Sequence, residues 1–128
     1  MTSLSKMGLT TNDILDETLK REERAALEEF ARRVRARFAD RVAMIRLFGS
    51  RARGDFHEDS DIDAMVVLRG PAGWPERQEV IRIAADVGLA GPGYVDIMPK
   101  TIAEDEFRRL LREEWRIALD VEREGIPL

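Results

Sequence analysis

The chain has 128 residues, a length that allows one domain with a single hydrophobic core. It contains no cysteine, which excludes disulfide frameworks, cysteine nucleophiles and zinc fingers. Its net charge of −4 argues against a general nucleic-acid-binding protein, so no direct nucleic-acid contact is expected. The sequence has neither a signal-peptide pattern nor an apolar run of the roughly 18 residues that span a bilayer. We therefore expect a cytoplasmic protein without membrane contact.

The N-terminal third of the chain has mainly helical patterning. Residues 1–10 are small and polar and are predicted to form a flexible tail, whereas residues 11–128 are predicted to form one domain. Helix signals begin at Thr11 or Asn12. Apolar residues then recur at three- and four-residue spacing, which predicts a buried helix face made of Leu27, Phe30, Ala31, Val34 and Phe38.

Two short apolar runs follow this helix, with a polar segment between them. The run Val42–Phe48 ends at Gly49, and its length and flanks predict a buried strand. The segment from Ser50 to Asp61 has no hydrophobic period and is predicted to be a turn-rich loop. The second run, Ile62–Leu68, is predicted to form a second strand.

The C-terminal half alternates again between helix and strand patterns. A helix is predicted over residues 75–88, with an apolar face made of Val80, Ile81, Ala84 and Val87. A third strand is predicted from Tyr94 to Met98, stopped by Pro99. A last helix is predicted from a capping box at Thr101 to a stop at Gly125. The order α-β-β-α-β-α corresponds to an α/β (α+β) fold in which helices flank a small mixed β-sheet.

Two acids lie two residues apart at the start of the second predicted strand. Because side chains alternate along a strand, Asp61 and Asp63 face the same side of the sheet. Two adjacent carboxylates repel each other unless a cation lies between them. Hard oxygen ligands at this spacing suit Mg²⁺, which typically also binds substrate phosphates. This pair of acids is therefore predicted to bind a metal ion.

Phosphate-binding groups are expected directly after the first predicted strand. Gly49 allows a tight turn and close approach of a ligand, and Ser50 offers a hydroxyl and an amide N–H. Arg51 and Arg53 carry guanidinium groups, which suit phosphate, although each could instead be a surface charge or an ion-pair partner. These four residues are the candidate nucleotide-binding residues.

A third acid, Asp96, lies between Val95 and Ile97 in the third predicted strand. A carboxylate in such an apolar strand needs a partner, and a metal ion shared with Asp61 and Asp63 would supply one. Three carboxylates can hold two metal ions about 4 Å apart and promote a phosphoryl displacement. The three acids are therefore the candidate catalytic and metal-binding residues, while an exposed edge-strand acid is the alternative interpretation of Asp96.

The segment Gly49–Asp63 resembles the minimal nucleotidyltransferases (MNT) of the polymerase-β-like nucleotidyltransferase superfamily. Their motif is Gly-Ser, ten residues and Asp-x-Asp, and here the ten residues are Arg51–Ser60. Asp96 falls where this family has its third acid. The tail Glu124–Leu128 is similar to the family's ending, without its common final tyrosine. The resemblance covers about residues 25–128 and implies a polymerase-β-like nucleotidyltransferase core.

The resemblance implies an enzyme that transfers AMP from ATP to an acceptor and releases pyrophosphate, with two Mg²⁺ ions as cofactors. Asp61 and Asp63 would hold the metal ions. Asp96 would complete the site and help to deprotonate the acceptor. Gly49 and Ser50 would hold the terminal phosphates of ATP.

Partners also follow from the resemblance. Many members of the family are paired with an all-helical HEPN protein, so it implies an antitoxin that neutralises a HEPN ribonuclease toxin by adenylylating it. Two alternatives stay open: a non-catalytic antitoxin that covers its partner, and an enzyme that modifies a small molecule such as an antibiotic. The sequence has no obvious second domain for an antibiotic, which favours the protein acceptor. Self-association or partner binding through an apolar patch near Trp115 is a further expectation.

Overall fold

The computed structural model describes residues 15, 19–54 and 61–128 of the chain. The predicted tail, the predicted helix start at Thr11 or Asn12 and residues 55–60 of the polar loop lie outside the described residues. In chain order the elements are α1 (Arg21–Phe38), a 3-10 turn (Ala39–Arg41), β1 (Val42–Phe48), α2 (Ser50–Arg53), β2 (Ile62–Leu68), α3 (Trp74–Ala90), β3 (Ile97–Ala103), α4 (Glu104–Arg112), α5 (Arg116–Glu124) and β4 (Ile126–Pro127).

The four strands form one mixed sheet in the order β3-β2-β1-β4. β1 is antiparallel to both β2 and β4, whereas β2 and β3 are parallel. A parallel pair needs a crossover connection, and α3 provides it. The prediction of a small mixed sheet flanked by helices is therefore confirmed.

The sheet is covered by helices on both faces, and each face has its own core. On one face the sheet packs against α1 and α3, and the predicted stripe of α1 is buried at all five positions. On the other face Phe48, Met65 and Val67 pack against Phe107 of α4 and Val121 of α5. Alternation along each strand sends neighbouring apolar side chains to opposite faces, which explains the two cores. Within the described residues, no helix is both long and apolar enough to cross a membrane.

The apolar face predicted for α3 is wrong at one residue, Ile81. Val80, Ala84 and Val87 are buried as expected, but Ile81 is 47% exposed. Ile83 is buried in its place. The stripe of α3 is thus rotated relative to the prediction, because the helix packs against both α1 and β3 and the neighbours select which apolar side chain is enclosed.

The third strand begins later than the sequence indicated. It was predicted from Tyr94 to Met98, whereas β3 spans Ile97–Ala103 and contains Pro99. β3 is an edge strand, where a missing N–H can face away from the neighbouring strand, so proline does not end it. The prediction of a helix N-terminus at Thr101 is also wrong, because β3 continues past Pro99 and Thr101 lies within it.

The predicted last helix is divided in two. α4 ends at Arg112 and α5 begins at Arg116, and Glu114 between them has a positive φ of 57°. Trp115 lies in this connection in an extended conformation and is 55% exposed. Gly125 ends α5 as predicted. The sequence did not predict β4, the two-residue strand beyond Gly125 that pairs with β1.

Candidate active site

The turn after β1 lies directly against Asp63 of β2. In the antiparallel register Phe48 is paired with Asp63, which places Gly49 next to the carboxylate. Gly49 has a φ of 77°, and a Cβ atom added to it would lie 2.6 Å from Oδ2 of Asp63. Glycine is therefore required here both by the backbone conformation and by the space that the carboxylate occupies. The structure thus brings the predicted phosphate turn, Gly49 and Ser50, close to the predicted metal ligand Asp63.

Asp96 reaches the same end of the sheet from the segment before β3. Its backbone oxygen accepts a hydrogen bond from the N–H of Ile62 at 2.9 Å, which places it beside Asp61. The next residue back is also fixed, because the N–H of Val95 donates to the oxygen of Gly88 in α3 at 3.0 Å. Asp96 was predicted in the middle of a strand, and that position is wrong, since β3 begins one residue later.

The electrostatics of the acids agree with their closeness. Partial burial and the neighbouring charge of Asp61 raise the pKa of Asp63, while Lys100 and Arg53 act on it in the opposite direction. Hydrogen bonding to Asp61, followed by burial and the charge of Asp61, raises the pKa of Asp96. Asp61 is thus the shared neighbour of the other two acids, and a cation at this face would relieve the repulsion among them.

The three acids have the type of ligand atom that a divalent cation prefers, but their side chains are not close enough together to hold one. Carboxylate oxygens are the ligands that Mg²⁺ prefers, and the pKa values of Asp63 and Asp96 are raised in part by the neighbouring charge of Asp61. In the part of the chain that the structure describes, however, no group of three acidic or histidine side chains converges closely enough to hold a metal ion. The acids meet in pairs through Asp61.

Arg51 is an ion-pair partner, which was one of its alternative interpretations, but the sequence did not indicate its burial or the identity of its partner. Its side chain is only 2% exposed, and its Nη1 and Nη2 atoms donate to the two carboxylate oxygens of Glu23 at 2.9 and 2.8 Å. Glu23 also accepts the N–H of Lys20 at 2.8 Å, which caps the start of α1. Arg51 therefore joins α1 to α2 in this structure. A pairing across 28 positions leaves no local signal in a sequence.

The other two candidate phosphate-binding residues lie in or beside the short helix α2. The segment Ser50–Arg53 is helical rather than part of a loop, because Gly49 accepts the N–H groups of Ala52 and Arg53, both at 3.1 Å. Ser50 is the first residue of this turn and is half-buried. The guanidinium of Arg53 lies 3.7 Å from a carboxylate oxygen of Glu124, so Arg53 is one of the predicted ion-pair partners.

Tyr94 is a residue at this site that sequence reasoning did not select. Its hydroxyl donates a hydrogen bond to Oδ1 of Asp96 at 3.3 Å. The negative charge of Asp96 and partial burial raise the pKa of the Tyr94 hydroxyl, so that it keeps its proton and acts as the donor. Only its position two residues before a candidate acid hinted at this role.

A cavity of about 560 Å³ opens beside Asp96. Tyr94 and Asp96 border it on one side, and Lys20 and Glu23 border it on the side of α1. Arg51 contributes to its wall as well. A volume of this size is typical of small-molecule sites, and it can receive a nucleoside or a side chain of an acceptor next to the acids.

The close contact between Gly49 and Asp63 leads to a testable prediction. Gly49→Ala is expected to lower the free energy of unfolding by roughly 2 kcal/mol or more, because alanine disfavours positive φ and its methyl group collides with the Asp63 carboxylate. Gly54→Ala is the matched control, since Gly54 also has a positive φ but has open space around it. Urea denaturation measures both changes, and equal losses in the two variants would show that the contact with Asp63 has no cost.

Sequence comparisons relate the chain to a known family and to two named proteins. Residues 27–120 match the profile of the family described as "Nucleotidyltransferase domain". Two proteins of Methanocaldococcus jannaschii, both named "putative protein adenylyltransferase", are similar to parts of the chain. One is 33% identical over 63 residues, which are 49% of this chain and 64% of the relative. The other is 44% identical over 45 residues, which are 35% of this chain and 45% of the relative. The chain thus matches less than two thirds of the length of either relative.

A comparison of folds gives the same result. A crystal structure of a protein from Sulfolobus solfataricus, described as a "putative nucleotidyltransferase", superimposes with a TM-score of 0.53 at 21% identity. The similarity covers 89% of this chain and 84% of the other, and it extends the agreement to the fold. Because the family profile matches residues 27–120, which are most of the chain, this protein belongs to the nucleotidyltransferase domain family.

Proposed function

We propose that this protein is a Mg²⁺-dependent adenylyltransferase that transfers AMP from ATP to another protein. The observation that carries the proposal is the meeting of Gly49, Asp63, Asp61 and Asp96 at one end of the sheet. It unites a turn that can approach phosphate with acids that can bind metal ions. The names of the two M. jannaschii relatives support adenylyl transfer to a protein acceptor.

Each residue has a separate part in the proposed reaction. Gly49 and Ser50 bind the terminal phosphates of ATP, with Arg53 close enough to add positive charge. Asp61 and Asp63 would hold the metal ions and Asp96 would complete their site, and bound Mg²⁺ would supply positive charge to the phosphates during transfer. Asp96 also accepts the proton of the attacking hydroxyl, as its position beside the cavity allows.

The proposed role of Arg51 is indirect. Its guanidinium is held by Glu23 in a buried ion pair, so its position favours support of the phosphate turn over direct contact with ATP. It follows Ser50 directly in α2, and the ion pair fixes that helix against α1. We therefore propose that Arg51 orients Gly49 and Ser50 for nucleotide binding.

The proposed partner is a HEPN ribonuclease toxin in the cytoplasm, neutralised when AMP is attached to it. The family resemblance of the motif Gly49–Asp63 supports this choice. Transfer is tested by incubating the protein with ATP, Mg²⁺ and the product of the neighbouring gene, the proposed HEPN partner, and by measuring the mass of that product. The expected result is an added adenylyl group on the partner and release of pyrophosphate, both abolished by a chelator of divalent metal ions.

The alternative of neutralisation by binding alone has its own test. A double variant, Asp61→Ala with Asp63→Ala, removes two proposed metal ligands but leaves the helical surfaces unchanged. If catalysis is required, cells that produce the toxin and this variant stop growing. Full protection by a folded double variant, together with no added mass on the partner, would instead establish a binding antitoxin.

A further inference from the structure

Tyr94 is the only tyrosine of the chain, and it is also the side chain whose hydroxyl contacts the proposed proton acceptor. It is 66% exposed, so little of its ring is enclosed by the protein. Its hydroxyl lies 3.3 Å from Oδ1 of Asp96, with the oxygen in the place that an acceptor hydroxyl needs if Asp96 is to receive its proton.

The backbone around Tyr94 is held in position by α3. The following residue, Val95, is hydrogen-bonded to Gly88, and its carbonyl oxygen lies so close to Gly88 that a Cβ atom there would collide with it. The ring of Tyr94 also lies near Gly88, because Cε2 would be 3.6 Å from that Cβ. The hydroxyl is therefore directed to Asp96 by a fixed backbone, while the exposed side chain keeps room to turn towards a bound nucleotide.

Tyr94 also lines the cavity beside Asp96. Because the Tyr94 hydroxyl is hydrogen-bonded to Asp96, a nucleotide whose α-phosphate came within reach of Asp96 would also lie near the Tyr94 oxygen. A reacting oxygen held beside its base and close to the phosphorus has a large entropic advantage over an acceptor that must diffuse to the site.

We infer that this enzyme adenylylates its own Tyr94, an inference that rests on the proposed function. The phenolic oxygen of Tyr94 attacks the α-phosphorus of ATP and forms a new P–O bond. The bond between the α-phosphorus and the oxygen that bridges to the β-phosphate breaks, and pyrophosphate leaves with that oxygen. The phenolic proton passes to Asp96 and then to solvent. The product is an AMP ester on Tyr94, with no oxidation or reduction.

The modification would limit the activity of the enzyme. An adenylyl group on Tyr94 would occupy space in the cavity that borders Asp96 and would hinder an acceptor from approaching Asp96 there. The modified protein is therefore expected to transfer AMP to its partner more slowly than the unmodified protein does, and an excess of ATP without a partner should favour this slower form.

The test measures the mass of the intact protein after incubation with ATP and Mg²⁺, without and with the HEPN partner. The expected result is the mass of one adenylyl group on the wild-type chain, mapped to Tyr94 by peptide sequencing. Tyr94→Phe, confirmed to be folded by its thermal unfolding, is expected to gain no mass, and neither is Asp63→Asn. Because the hydroxyl and the acids belong to one chain, the rate constant should not depend on protein concentration.

The outcomes separate this inference from the proposed function. If the partner is adenylylated while wild-type protein gains no mass at Tyr94, self-modification is overturned and the proposed function stands. A Tyr94→Phe protein that gains the same mass at another residue would also overturn it. If neither the wild-type chain nor the partner gains mass although ATP binds, both the self-modification and the proposed function are wrong. If Tyr94→Phe changes transfer to the partner and the wild-type chain stays unmodified, Tyr94 only positions Asp96.

Discussion

Replacement of Asp63 by asparagine is expected to reduce AMP transfer roughly a thousandfold, because loss of one group that stabilises charge in the transition state costs about that much. Asp63 lies against Gly49 and near Asp61, so in the proposed mechanism its charge would act on the metal ions and beside the phosphates. Asparagine has the same shape, and partial burial already disfavours the charged form of Asp63, so the fold should be retained. The initial rate of pyrophosphate release measures the effect.

A suitable control removes a carboxylate of the same kind elsewhere. Asp105 is exposed in the first turn of α4, away from the acid face. Asp105→Asn is expected to keep the transfer rate of the wild-type protein within about twofold, since surface substitutions of this kind change little. If the two variants had similar rates, Asp63 could not be a ligand of catalytic metal ions, and the proposed mechanism would be wrong.

Replacement of Glu23 by glutamine is expected to lower the free energy of unfolding by about 3 kcal/mol, because it removes the negative partner of a buried guanidinium. Arg51 is almost fully enclosed and makes two short hydrogen bonds to the Glu23 carboxylate. Glutamine keeps an acceptor oxygen for the N–H of Lys20, so the cap of α1 is preserved and the change reports mainly on the charge. Urea denaturation monitored by circular dichroism measures this loss.

Glu28 provides the matched control on the same helix. Its carboxylate pairs with Arg24 at 2.8 Å, but its side chain is 60% exposed. Glu28→Gln should therefore cost less than about 1 kcal/mol, as exposed ion pairs do. If Glu23→Gln also weakens binding of ATP while Glu28→Gln does not, the buried pair orients the phosphate turn as proposed. If the two variants had the same free energy of unfolding, the buried ion pair would not stabilise the fold more than the exposed one does.

The part of the site that could be predicted from the sequence is the part encoded locally. A strand end followed by Gly49-Ser50, and an acid pair at the start of the next strand, are short patterns whose side chains have fixed directions. The apolar stripe of α1 was predictable for the same reason, since helical periodicity is a local property.

The features that were missed depend on contacts between distant segments. The ion pair of Arg51 with Glu23 joins residues 28 positions apart, and the hydroxyl of Tyr94 meets Asp96 only because α3 fixes the intervening backbone. Pro99 suggested the end of a strand, but its place on the edge of the sheet makes proline acceptable there. Each of these depends on where an element lies in the fold, which no short stretch of sequence specifies.

The order of the strands also implies that different parts of the site form at different stages of folding. Gly49 and Asp63 meet as soon as β1 and β2 form their antiparallel pair, which joins neighbouring segments of the chain. Asp96 joins them only after the crossover through α3 has placed β3 beside β2. Contacts between remote segments form more slowly, because a longer loop must be closed before they stabilise the chain. We therefore expect a newly made molecule to form the contact between Gly49 and Asp63 before Asp96 reaches the other two acids.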